Sequence, residues 1–167
     1  PLDLIKEYGT DAVRYFLLRH VSPFEDSDVT LEGFKEAYNA NLANGLGNLS
    51  SRILTLSEKY LSKCPDIPER SDLENYFKFF ENFEIKQAMD CSWNEIGELD
   101  RCIQDTEPFK VVKVDTQKGE ILISDMVIRL YKIARMLNPI MPETNITLKK
   151  PIKENKKPEH PLFLRKE

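Results

Sequence analysis

The stretch "YNANLANGLGNLSSR", residues 38–52, decides the fold, because it can be read as a loop or as the middle of a long helix. Its four asparagines and two glycines argue for a loop. The apolar residues through and around it argue otherwise. Leu31, Phe34, Tyr38, Leu42, Leu46, Leu49, Ile53, Leu56 and Tyr60 recur at steps of three or four, one face of a helix over 31–62. The helix reading has an energetic consequence. Gly45 and Gly47 each cost about 1 kcal/mol against alanine in a helix interior, and each Asn roughly half of that or a little more. So much lost propensity on one helix requires a compensating role. Glycines in such a place let a neighbouring helix approach closely, and asparagines can hydrogen-bond across the contact.

Working outward, residues 1–20 read as a short helix, a break at Gly9 and a second helix capped by Thr10 or Asp11. "VSPFEDSDVT" is an extended connector, and Thr30 is the expected N-cap of the long helix. On the other side, "CPDIPERSD" is a loop that suits a helix hairpin. "LENYFKFFENF" restarts a helix, leading into 84–104, where Ile85, Met89, Trp93, Ile96, Leu99 and Ile103 repeat at helical spacing. Trp93 lies on that stripe and is assigned to the core. "DTEPFKVVKVDTQKG" holds a short helical turn, and 120–137 is a further helix with Ile123, Met126, Leu130, Ile133 and Leu137 on one side. From Asn145 the prolines and lysines predict an extended tail that wraps the surface or frays. The expected fold is an all-α antiparallel bundle of five or six helices with an extended C-terminal tail.

The chain of 167 residues is enough for one domain with its own core. It has no run of apolar residues long enough for a membrane helix. Cys64, Cys91 and Cys102 form no Cys-x-x-Cys pair, and His20 and His160 sit far apart in sequence, so reduced thiols are expected, with neither zinc nor a disulfide framework. The net charge of −4 is not that of a phosphate-driven nucleic-acid binder. It is uneven: residues 148–167 carry seven Lys or Arg against three Glu, a solvated basic tail or a weak electrostatic patch.

Beside the apolar stripe of the long helix runs a polar one: Asn41, Asn44, Asn48 and Arg52 at steps of three and four, with Asn39 off the row. Asn41 and Asn44 fit a buried polar contact as well as an exposed face. Asn48 and Arg52, one helical turn apart, form a fork of directional donors and acceptors that suits a base edge. An ordinary solvated surface remains the alternative from these residues alone. Asp11 and Arg14, three apart, are assigned to local or interdomain polar contacts.

"YGTDAVRYFLLR", "YNANLANGLGNLSSR", "EPFKVVK" and "LNPIMPETN", in this order and spacing, resemble the C-terminal part of the methionyl-tRNA synthetases, which are class I aminoacyl-tRNA synthetases. The resemblance runs over about residues 1–146, and "PLFLRKE" is similar to the segment that often closes the family's bundle. The second block is the specific one. The first is shared more widely, and "DAVR" departs slightly from the usual Asp-Ala-Leu-Arg. In the family this bundle binds the anticodon. The resemblance places the family's readers of the first anticodon base, a cytosine, on Asn48 and Arg52. It places the family's Pro-Trp, whose indole stacks on that base, on Pro108 and Phe109. Phenylalanine keeps a π-face but loses area and the indole donor.

The resemblance implies a parent enzyme that joins methionine to its tRNA with ATP and Mg. No cofactor is expected in this segment, which has no His-Ile-Gly-His-like stretch, no Lys-Met-Ser-Lys-Ser-like loop and no catalytic residue. The expected organisation is a stem-contact segment at 1–30, following the catalytic core, a helical anticodon-binding bundle at 31–147 and a basic tail at 148–167. The expected partners are the anticodon loop of tRNA(Met), with Asn41 and Asn44 as an additional polar face, and the catalytic core of the same chain. The expected location is the cytoplasm, off the membrane. Two alternatives stay open: a non-enzymatic helical module that binds protein, and the anticodon domain of another class I synthetase. The gene sequence just upstream of Pro1 discriminates them.

Overall fold

The computed structural model describes residues 2–21, 29–68 and 73–167, and every regular element among them is helical. Most of the connector read at 21–30, and the end of the loop read at 64–72, lie outside the described residues. Helices α1 (Leu2–Tyr8) and α2 (Thr10–His20) meet at Gly9, whose φ of 87° is left-handed and ends α1. The expected cap is different. Gly9 occupies the N-cap position of α2 with no side-chain bond, and Asp11 is buried, facing another helix.

The long helix, α3, spans 31–60 in three parts: an α segment Leu31–Ala37, a π segment Tyr38–Gly47 and an α segment Asn48–Tyr60. Thr30 caps it as expected, accepting from the Gly33 amide at 3.0 Å. A π segment of ten residues is long for a form seen mostly as single-turn bulges. It coincides with the Asn/Gly stretch. The Asn48 amide closes it by bonding to the Ala43 carbonyl, five residues back. The glycines therefore serve the helix itself rather than a neighbouring helix. A Cβ on Gly47 would stand 3.0 Å from the Leu42 carbonyl, and one on Gly45 would stand 3.3 Å from that of Ala40, each five residues back along the same helix. What comes near from outside is the backbone of Phe163, 3.8 Å from a Cβ at position 47.

Helix α4 (Glu74–Glu81) leads to α5 (Ile85–Thr106), α6 (Pro108–Val114) and α7 (Thr116–Leu137). Tyr76 ties α4 down: its hydroxyl donates to the Met136 carbonyl at 2.6 Å and accepts from Ser92 at 3.2 Å. Burial pushes this phenol up to about 12. Helix α7 is the hub of the bundle, packed on α3, α5, α6 and the last helix. Its predicted stripe, Ile123, Met126, Leu130, Ile133 and Leu137, is buried throughout. So are Leu42, Leu46, Leu49 and Ile53 of α3 and Met89, Trp93, Ile96, Leu99 and Ile103 of α5.

The C-terminal region differs from expectation. The extended tail read from Asn145 is instead helix α8, Pro142–Glu154, which buries Thr144, Asn145, Leu148 and Ile152. The tail proper begins at Asn155, a left-handed C-cap. It forms a strap hooked at both ends to α3. Asn155 accepts from Ser57 at 2.5 Å and donates to the Leu61 carbonyl at 2.8 Å. At the other end, the Asn39 amide brackets Lys166, donating to its carbonyl at 2.8 Å and accepting from its backbone amide at 2.9 Å. Phe163 meets Tyr38 edge-on at 6.0 Å, and the Lys166 ammonium lies 5.4 Å above the Tyr8 ring. Asn39, off the polar row, is thus the residue that fastens the strap.

Candidate functional site

Glu107 links α5 to α6 alone, with a left-handed φ of 42°. Pro108 follows at the first position of α6, where a missing N–H costs nothing, and it is buried. This one-residue elbow holds the Phe109 ring at the surface, 39% exposed, rather than in the core. The Lys110 ammonium is 6.0 Å from that ring and 2.6 Å from the Glu107 carboxylate.

Phe109 and Arg52 come together here. With Ser51, Thr55, Leu56 and Ile103 they line a cleft of about 300 Å³. The floor is apolar and the rim carries a guanidinium. Asn48 is exposed one turn before Arg52 on regular α-helix, so the two share a face as predicted. Arg52 is held in place: its Nη1 donates to Asp100 Oδ1 at 2.7 Å. The other carboxylate oxygen accepts from Gln104 at 2.6 Å. Sequence reading missed Asp100, because nothing in the pattern of α5 marks it; only the packing of α5 against α3 does.

Asn41 and Asn44 lie within the π segment, and the change of helical pitch divides the predicted polar row. They line a second cleft of about 350 Å³ with Arg19, Trp93, Asn94 and Asp100. Asn41 also donates to its own helix, to the Ala37 carbonyl at 3.1 Å. Trp93 is buried as expected, 8% exposed, and its indole N–H has no partner among the described residues. The Tyr15 ring stands 4.5 Å from it and the Arg19 guanidinium 4.9 Å above it. Asp100 thus lines this second cleft while bonding to Arg52, which lines the first.

Behind Arg19, which lines the second cleft, lies a titrating group, His20. Arg19 donates to the Tyr15 hydroxyl at 3.1 Å and to Asp90 at 3.2 Å. The Tyr15 hydroxyl is 2.9 Å from His20 Nε2. With Arg19 as donor, the hydroxyl proton points to an unprotonated Nε2. Burial, and then the Arg19 charge, lower the His20 pKa below 6.5. The unfolded chain therefore takes up this proton first on acidification. The stability contribution is complete above pH 6.5 and is lost as the pH falls from there to the folded value. Trp93, the single tryptophan, is the reporter. Its emission and the thermal midpoint are expected to change together below pH 6.5, and His20→Asn should remove that transition. An unchanged transition in the variant would assign it elsewhere.

Among the described residues no group of three or more His, Cys, Asp or Glu could hold a metal ion, and no helix is long and apolar enough to cross a membrane. Asp11 and Arg14, assigned to polar contacts, make them: Asp11 bonds to Thr144 and Arg14 to the Pro139 carbonyl.

Residues 1–54 match a family model described as tRNA synthetases class I (M). The chain is 33% identical to a methionine–tRNA ligase of Fusobacterium nucleatum over 159 residues, covering 86% of this chain and 25% of that protein. It is 34% identical to the methionine–tRNA ligase of Bacillus subtilis over 152 residues, 82% of this chain and 22% of that protein. The chain therefore spans about a quarter of the length of these relatives. The crystal structure of the apo form of Mycobacterium tuberculosis methionyl-tRNA synthetase superposes with a TM-score of 0.80 at 22% identity, covering 100% of this chain and 41% of that one. At that identity the superposition speaks for the fold.

Proposed function

The chain belongs to the methionine–tRNA ligases among the class I tRNA synthetases, and on that premise we propose that it reads the CAU anticodon of tRNA(Met) for a parent enzyme that attaches methionine. The observation that carries this reading is the shared cleft of Arg52 and Phe109. A single-stranded base needs a flat face and directional groups at its edge. Phe109 offers the first. Arg52 and Asn48 offer the second, and Pro108 fixes the elbow that presents the ring. The loss of the family's usual tryptophan leaves stacking intact in kind and smaller in area. Asn41 and Asn44, facing the adjoining cleft, suit a neighbouring base, since an asparagine amide can pair with adenine through two bonds.

In this proposal residues 1–30 contact the tRNA stem and the catalytic core, 31–147 form the anticodon-binding bundle, and 148–167 complete α8 and close the bundle as the strap. In the parent's core, in the cytoplasm, ATP with Mg would activate the carboxylate of methionine, with release of pyrophosphate. This segment contributes selection and position.

One good base-edge contact contributes about 1–3 kcal/mol, and a stacked base about the same. Together they fall short of the roughly 8 kcal/mol of a micromolar complex. The chain alone should thus bind whole tRNA more weakly than micromolar at physiological salt. The test is titration with an anticodon stem-loop carrying CAU and with one altered at the first base. Arg52→Ala should weaken the cognate complex by about 2 kcal/mol and flatten the preference. Equal binding of both stem-loops by the unaltered chain would sink the proposal.

A further inference from the structure

We propose that Asp100 determines specificity at the first anticodon position by accepting a hydrogen bond from the exocyclic amine of cytosine; this rests on the anticodon reading above. Asp100 lies one turn before Ile103 on α5, and Ile103 lines the Phe109 cleft. Its carboxylate is 2.7 Å from the guanidinium that borders the same cleft, and the Asp100 side chain remains 39% exposed. Asp100 itself lines the adjoining cleft, and its bond to Arg52 sets an acceptor beside the donor at the border of the Phe109 cleft.

That pair has the complement of one base. Cytosine offers acceptors at O2 and N3 and a donor at its N4 amine. A guanidinium can serve the first two and a carboxylate the third. Uracil reverses two of the three positions: its N3–H would face the guanidinium donors, and its O4 would face a carboxylate that can only accept. Arg52 alone separates the two bases at N3. Asp100 adds attraction for the amine and repulsion of O4. The bonds that Asp100 already makes do not block this, since each carboxylate oxygen can accept more than one hydrogen bond. Gln104, bonded to the far oxygen at 2.6 Å, keeps the carboxylate turned toward Arg52.

The experiment uses the 167-residue chain and three stem-loops carrying cytosine, uracil or pyrimidin-2-one at the first position; the last is cytosine without its amine. The unaltered chain should lose about tenfold in affinity on removal of the amine. Asp100→Ala should bind the cytosine stem-loop more weakly and lose nothing further when the amine is removed. The isosteric Asp100→Asn, which can turn a donor toward O4, should narrow the preference for cytosine over uracil to the part that Arg52 supplies at N3. A carboxylate that merely steadied Arg52 would leave the amine effect unchanged in the variants, and that result would overturn the inference. Preference for cytosine over uracil without any response to the amine would also overturn it, leaving the anticodon reading in place. Equal binding of all three would remove both.

Discussion

Gly119→Ala is expected to destabilise the chain by about 3 kcal/mol or more, the upper range for forcing volume into a packed core. A Cβ at this position would stand 2.3 Å from the Cα of Val112 and 2.7 Å from its backbone nitrogen. Backbone cannot swing aside as a flexible side chain can, so α6 must lift away from α7. The thermal midpoint should fall by roughly 6–12 °C, at about 2–4 °C per kcal/mol for a domain of this size. The effect extends to the site. Val112 lies in α6 one turn after Phe109, so a displaced α6 carries the ring away from Arg52. Stem-loop binding should therefore weaken even at temperatures where the variant is fully folded. A midpoint lowered by less than about 2 °C would show that the α6–α7 contact yields more easily than its geometry implies.

Asp11→Ala should cost about 3 kcal/mol, because hydrogen bonds to a charged group contribute about 1.5–3 kcal/mol each and are not fully additive. Asp11 is 5% exposed, and its Oδ2 accepts from the Thr144 amide at 2.7 Å and the Thr144 hydroxyl at 2.8 Å. Thr144 is the third residue of α8, so its N–H has no partner within that helix. Asp11 caps α8 from another helix, with its charge at the favourable end of the helix dipole. Alanine would leave a buried amide and hydroxyl unpaired. Asp11→Asn keeps an acceptor and should retain more than half of the stability, as read by urea denaturation. Equal losses in both variants would assign the effect to charge alone.

The apolar positions of α3, α5 and α7 were legible because burial imposes a period that composition cannot hide. The π segment was not read, although α3 steps by four three times in succession from Phe34 to Leu46, slower than 3.6 residues per turn. A tolerance of three or four absorbs that drift. Helix α8 was hidden because two of its four buried residues, Thr144 and Asn145, are polar and Pro151 lies inside it. At the site, Arg52 stood out in the polar row of its helix and Phe109 through resemblance, and the cleft they share appeared only in three dimensions. Asp100 left no trace, since its meaning depends on a partner that folding alone brings within reach.

The strap and the long helix also set limits on each other's fluctuations. From Asn155 to Lys166 an extended chain reaches about 36 Å, and the α3 stretch from Asn39 to Leu61 measures at most about 33 Å, its length at α-helical rise throughout. Hooked at both ends, the two form one cooperative opening unit. The π segment gains protection from this. Its glycines and asparagines make it the weakest part of the helix by propensity, yet it cannot fray without also releasing the Asn39 bracket on Lys166. Opening the two together makes local unfolding more costly where intrinsic stability is lowest, and so keeps Asn48 and Arg52 in phase from the first turn beyond it.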